Sequence, residues 1–165
     1  PDRLQAALRA LLRAAEFCDS PANASKVADI LARETYLGLP AGVIATSLPS
    51  TSPRSHADRS VFFANTATFP WLSQAQWFLG EMRRWGYLDT SVDPQKIATI
   101  FRPDLYAAAA ISLGLAVPTD TAKSEGKHDG SWRLPARPAP IDMGPDRFMD
   151  GAKFDPALHK PLSDA

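Results

Sequence analysis

The sequence predicts a mainly α-helical domain over residues 1–117, followed by an extended, proline-rich strap over residues 118–165. Three observations carry this reading. Residues 1–18 place Leu4, Leu8, Leu11, Leu12 and Ala15 on one stripe, with Arg3, Arg9, Arg13 and Glu16 opposite, as an amphipathic helix requires. Three of the four tryptophans, Trp71, Trp77 and Trp85, fall in a second helical stretch and its entry. Seven of the 15 prolines lie between Pro118 and Pro161, where no helical period survives.

Taken in order, the first helix gives way at Asp19-Ser20-Pro21, a break and a new start, because proline is tolerated at the first helical position. Val27, Ile30, Leu31 and Glu34 carry the second helix, which should form a hairpin with the first. Leu39 to Leu48 predicts a shorter third helix starting near Pro40, weakened by Gly42, Thr46 and Ser47. Pro49 to Arg59 has a loop composition. The burst Val61-Phe62-Phe63 reads either as a small strand or as a buried loop.

The tryptophan helix runs through Leu72-Ser73-Gln74-Ala75-Gln76-Trp77-Phe78-Leu79 to Gly86. Ser73 is the expected N-cap and Gly86 the expected stop. Phe78, Met82 and Trp85 recur at i, i+4 and i+7 and define the expected core face, with Leu72, Ala75 and Leu79 as a flanking row. Trp71, Trp77, Phe78, Met82 and Trp85 are therefore read as packing residues. Asp93-Pro94-Gln95 should open a helix over Lys96–Phe101, and Pro103-Asp104 another that ends near Gly114. Within the strap, Trp132, Leu134, Ile141, Met143, Phe148 and Phe154 are expected anchors, and Asp150-Gly151 is a strong turn signal.

Little in the chain points to chemistry. The 18 basic and 18 acidic residues cancel, so no field draws the chain to nucleic acid. No apolar run approaches the roughly 20 residues of a membrane helix. A lone cysteine, Cys18, excludes an internal disulfide and a cysteine-rich metal site. His56, His128 and His159 stand apart in expected loops and read as surface histidines. Glu81, Asp104, Asp120 and Asp146 sit at helix starts or turns, where capping accounts for them. Asp146, Asp150 and Asp155 lack the fixed loop spacing of a hard-cation site. No phosphate loop or nucleophile elbow occurs, so the expectation is a non-enzyme with no catalytic residue, cofactor or metal. A helix already under way at Pro1-Asp2-Arg3-Leu4 suggests a part of a longer reading frame.

Several motifs in order point to a family. They are the Pro1-Asp2-Arg3-Leu4 helix, Phe17-Cys18-Asp19-Ser20-Pro21-Ala22-Asn23, Ala64-Asn65, Phe69-Pro70-Trp71, Trp77-Phe78-Leu79, Met82-Arg83-Arg84-Trp85-Gly86, Arg102-Pro103-Asp104-Leu105-Tyr106, Phe148-Met149-Asp150-Gly151 and Phe154-Asp155-Pro156. Together they resemble the C-terminal part of the nitrate- and bicarbonate-binding receptors of ABC transporters and of their cytoplasmic nitrate-sensing relatives. The chain departs from that pattern at Ser73-Gln74-Ala75, where the family usually has Ser-His-Ala. It also departs in an insert-like stretch from Gly126 to Pro140, and in ending through Leu158-His159-Lys160-Pro161 without the family's tyrosine-bearing end.

The resemblance implies a helical C-terminal part of a two-lobed, type 2 periplasmic-binding-protein α/β fold that closes on a small anion. It places the oxyanion contacts, made by Trp, Gln, His, Lys and backbone groups, before Pro1, so no ligand-binding residue is assigned here. Partners implied are a small oxyanion held by that preceding part and the membrane subunits of an ABC transporter, or a regulatory protein. The implied location is periplasmic, or cytoplasmic if the whole protein is a sensor controlling an RNA-binding antiterminator. A stand-alone helical interaction module and an enzyme of the same two-lobed fold are the other readings. Faces left open by separation from the rest of the lobe should make the segment self-associate.

Overall fold

The computed structural model describes residues 2–49, 60–89, 91–92 and 96–158. His56, His159 and the expected Asp93-Pro94-Gln95 helix start lie outside them. The chain divides into two compact units, Pro1–Thr68 and Phe69–Ala165. The boundary expected at 117/118 therefore falls inside the second unit.

The first unit is helical. Helix α1 runs Asp2–Asp19, a single 3-10 turn with proline at its start covers Pro21–Asn23, and α2 spans Ala24–Leu31. Helix α3 is only Ala41–Ala45, shorter than the sequence suggests, because Thr46 and Ser47 turn their hydroxyls back onto the Val43 and Ile44 carbonyls, at 2.7 and 3.0 Å. Val27, Ala28, Ile44 and Leu48 form the core, with Cys18, Leu31 and Phe62 packed against it. Helix α2 packs chiefly on α3 rather than pairing mainly with α1. The amphipathic stripe of α1 stays largely open: Leu12 is buried, but Leu4 is 50% and Leu11 65% exposed.

The Val61–Phe63 burst is a half-buried loop, not a strand. Its backbone is claimed by Asp19, whose carboxylate accepts the N–H groups of Phe62, Phe63 and Ala64 at 2.6, 2.9 and 2.6 Å, across 43 to 45 residues of sequence. Three donors converging on one anion stabilise that turn. They also explain why the Asp19 and Ala64-Asn65 motifs occur together. Asn65 and Thr66 follow with φ of 54° and 59°, a left-handed turn that a β-branched residue seldom adopts.

The second unit mixes helices with two small ribbons. Helix α4 covers Leu72–Arg84, α5 Ile97–Ile100 and α6 Pro103–Ser112, the last with proline at its first position as expected. Gly86 closes α4 at φ 75°, with the Tyr87 N–H on the Met82 carbonyl at 2.8 Å. Beyond α6 the chain is not merely an extended strap. Strand β1 (Val117–Pro118) pairs antiparallel with β3 (Ala136–Arg137), and β2 (Trp132–Leu134) with β4 (Ile141–Met143).

Strand alternation turns Leu134 and Met143 inward and leaves Arg133 and Asp142 exposed. Phe69, Trp71, Leu134 and Met143 make the core, lined by Tyr106, Val117, Trp132 and Ile141. The Asp150-Gly151 turn forms as expected: Gly151 has φ 72° and the Asp150 carboxylate accepts the Ala152 N–H at 2.9 Å. Phe154, next along, is buried and joined by a β-bridge to Glu125. Among the described residues no helix is long and apolar enough to cross a membrane.

Candidate functional site

The densest polar constellation lies at the start of α4. Trp71, only 1% exposed, precedes the helix in extended conformation and occupies the N-cap position itself. Ser73 is therefore not the cap. It is fully buried inside the first turn, where its hydroxyl oxygen accepts the Lys123 N–H at 3.0 Å. The Leu72 N–H, one of the unpaired donors of the first turn, is taken by the Thr121 carbonyl at 2.9 Å. Residues 121–125 thus cross the helix start and act as its cap.

Side chains complete the seat. The Gln74 amide donates to Glu125 Oε1 at 2.8 Å, and Lys123 Nζ lies 2.5 Å from Glu125 Oε2 and 5.6 Å above the Trp71 ring. Lys123 and Glu125 are both largely buried, with side chains 9% and 17% exposed, so each neutralises a charge that would be costly alone. Just after them, Gly126 has φ 76°, and a Cβ there would meet the Ala152 carbonyl and the Phe148 ring. The position excludes every side chain on two grounds. The cation and the amide donor of this seat are engaged by Glu125, so the arrangement orients α4.

Helix α4 presents its aromatics differently from the sequence expectation. The expected core face, Phe78, Met82 and Trp85, is 49%, 40% and 53% exposed, while the flanking row supplies the buried Ala75 and Leu79. The two rows are adjacent on the helix, and periodicity does not rank them. Trp77 is half-buried and stacks on Phe148, ring centres 6.3 Å apart, and it meets Phe78 edge to face at 5.1 Å. Trp85 packs edge-on to Tyr87 at 6.2 Å beneath the Arg84 guanidinium. Trp71 and Phe154 are the buried members of the expected set.

A second constellation corrects the reading of His128 as a surface residue. Its ring stacks on Trp132 with centres 3.9 Å apart, and its Nδ1 lies 2.9 Å from Asp146 Oδ2. Asp146 Oδ1 accepts the His128 N–H at 2.7 Å, and the Asp146 N–H returns to the His128 carbonyl at 3.1 Å. Trp132 Nε1 donates to the Gly144 carbonyl at 3.0 Å. Asp146 thus clamps a loop within the insert-like stretch, a role beyond local capping. Asp150 and Asp155 each accept an N–H two residues ahead, and no group of three metal-ligating residues is present among the described residues.

The remaining carboxylates are surface partners. Glu81 pairs with Arg84, and the hydrogen bond from Arg102 lowers Asp104 to about 2. Burial, helped by Asp19 beside it, raises the Cys18 thiol and keeps it protonated. Lys123 and Glu125 carry no signal in the sequence, and Ser73 reads there only as a cap, because their partners are about 50 residues away.

No family model matches the chain. It is similar to the nitrate/nitrite binding protein NrtA of Synechococcus elongatus (31% identity, 94% of this chain, 33% of the relative). A similar match is the nitrate/nitrite binding protein NrtA of Nostoc (30% identity, with the same coverage). The fold matches the crystal structure of the periplasmic nitrate-binding protein NrtA from Synechocystis at a TM-score of 0.66 and 24% identity, covering 93% of this chain and 38% of that one. The chain spans about a third of the length of the curated relatives it matches. Over nearly all of its length, then, this chain is similar to about a third of the nitrate/nitrite binding protein NrtA, and it shares the fold of part of a periplasmic nitrate-binding protein.

Proposed function

We propose that the chain is the C-terminal region of the solute-binding component of an ABC transporter for nitrate or a similar small oxyanion, a non-catalytic receptor working in the periplasm. The observation that carries the reading is the match over 94% of the chain to two proteins named for binding nitrate and nitrite. In this reading Lys123, Gln74 and Glu125, which satisfy one another, serve the packing of α4, and the anion is held by the remainder of the receptor.

In this role the segment shapes one lobe. Trp71, Phe154 and the Trp77–Phe148 stack hold α4 in place. Phe78, Met82 and Trp85, together with Leu4 and Leu11 of α1, are the faces on which the remainder of the receptor packs, and without it they drive self-association. The transporter's membrane subunits meet the complete two-lobed protein.

Calorimetric titration of nitrate, nitrite and bicarbonate into the full-length protein and into residues 1–165 tests this. Binding by the full-length protein and none by the segment is the expected result. Tight nitrate binding by the segment alone would place the site here and overturn the assignment. Sedimentation of the segment checks the exposed faces, for which a concentration-dependent oligomer is expected.

A further inference from the structure

We infer that the second unit carries a separate ligand groove, between the end of α6 and the β1–β3 ribbon, that accepts a small amphipathic carboxylate. The groove has a volume of about 620 Å³ and is walled by Ile111, Leu115, Val117, Pro118 and Pro138, with Arg137 on its lining. That size lies within the roughly 300–1,000 Å³ of small-molecule sites.

Its shape follows from local structure. Gly114 ends α6 at φ 72° and the Leu115 N–H returns to the Ala110 carbonyl at 3.0 Å, so Leu115 doubles back beside Ile111. The ribbon register sets Val117 opposite Arg137, and the Thr119 N–H to Pro135 carbonyl bond at 3.1 Å holds the ribbon beyond it. One wall is therefore helix and the other ribbon.

The class of ligand follows from what the walls offer. They are aliphatic, and Ile111 is 67% exposed, which leaves apolar surface to be covered. Arg137 is the charged residue of the lining, and its guanidinium has no ion-pair partner among the described residues. An aliphatic trough with a rigid two-pronged cation suits an alkyl chain ending in a carboxylate, which a guanidinium can hold bidentately. Nitrate lacks the chain that would use the walls, so this groove is distinct from an oxyanion site.

Decanoate is the probe, with decylamine and acetate as controls, added to the isotopically labelled intact protein while methyl resonances are followed. Decanoate should shift Ile111, Leu115 and Val117 saturably, whereas decylamine and acetate should not. Arg137→Gln should weaken decanoate about tenfold, as expected for losing one charge-assisted contact. Ile111→Asp, a change at an exposed position, should abolish the shifts while leaving the fold intact. Equal binding of decanoate and decylamine, shifts confined to α1 or α4, or no effect of Arg137→Gln would each overturn the proposal.

Discussion

The two units are held together by different means. In the first, four aliphatic residues, Val27, Ala28, Ile44 and Leu48, are drawn from α2, α3 and the turn after it, and one carboxylate, Asp19, ties in a distant segment. In the second, the core joins aromatic residues at the entry of α4, Phe69 and Trp71, to Leu134 and Met143 of the ribbons more than sixty residues later. A local aliphatic cluster tolerates small changes by shifting short helices. An aromatic core spanning distant segments has no such freedom, because its partners are fixed by the seat of Ser73, Lys123 and Glu125.

Trp71→Ala is the sharpest way to test this contrast. It removes the largest fully buried side chain and the floor under Lys123, and should destabilise the second unit by about 3–5 kcal/mol. Chemical denaturation followed through the remaining tryptophans measures it, and a loss under about 1 kcal/mol would mean the aromatic core is not the main support.

Asp19→Ala probes the corresponding tie in the first unit. Leaving three backbone donors without their carboxylate should cost about 1–3 kcal/mol, with amide exchange at Phe62, Phe63 and Ala64 accelerating most. If exchange there is unchanged, the tie is incidental and the aliphatic core alone holds the unit.

A smaller effect is expected at Trp85. Trp85→Ser should change the stability of the segment by no more than about 0.5 kcal/mol, since the side chain is half exposed. The same substitution in the full-length receptor should cost several times more if that face is a seam with the rest of the lobe. Equal costs in the two would remove the seam from the proposal.

The smallest effect is expected at Asp104. The hydrogen bond from Arg102 holds its carboxyl near 2, below the ordinary range, so the pair contributes at neutral pH and weakens only as pH falls towards that value. A carboxyl-carbon NMR titration should show this, and Arg102→Gln should return Asp104 to the usual carboxylate range.

Much of this was legible in order along the chain. The first helix, the proline start at Pro103, the glycine stop at Gly86 and the Asp150-Gly151 turn appear as the local signals indicate, because each depends on the backbone preferences of a few adjacent residues. The ribbons did not announce themselves, since strands of two or three residues leave no period to detect. Neither did the Lys123–Glu125–Gln74 seat, whose members have meaning only once the segment crosses α4.

What the sequence determined by itself is the first helix, the proline start of α6, the glycine stop of α4 and the likeness to nitrate-binding proteins. Only the tertiary structure decided that Ala75 and Leu79, not Phe78 and Trp85, face the core, that Ser73 receives a distant backbone N–H instead of capping its own helix, and that His128 is clamped by Asp146. Helical period tells which residues share a face, whereas which face loses its water depends on what arrives from elsewhere in the chain.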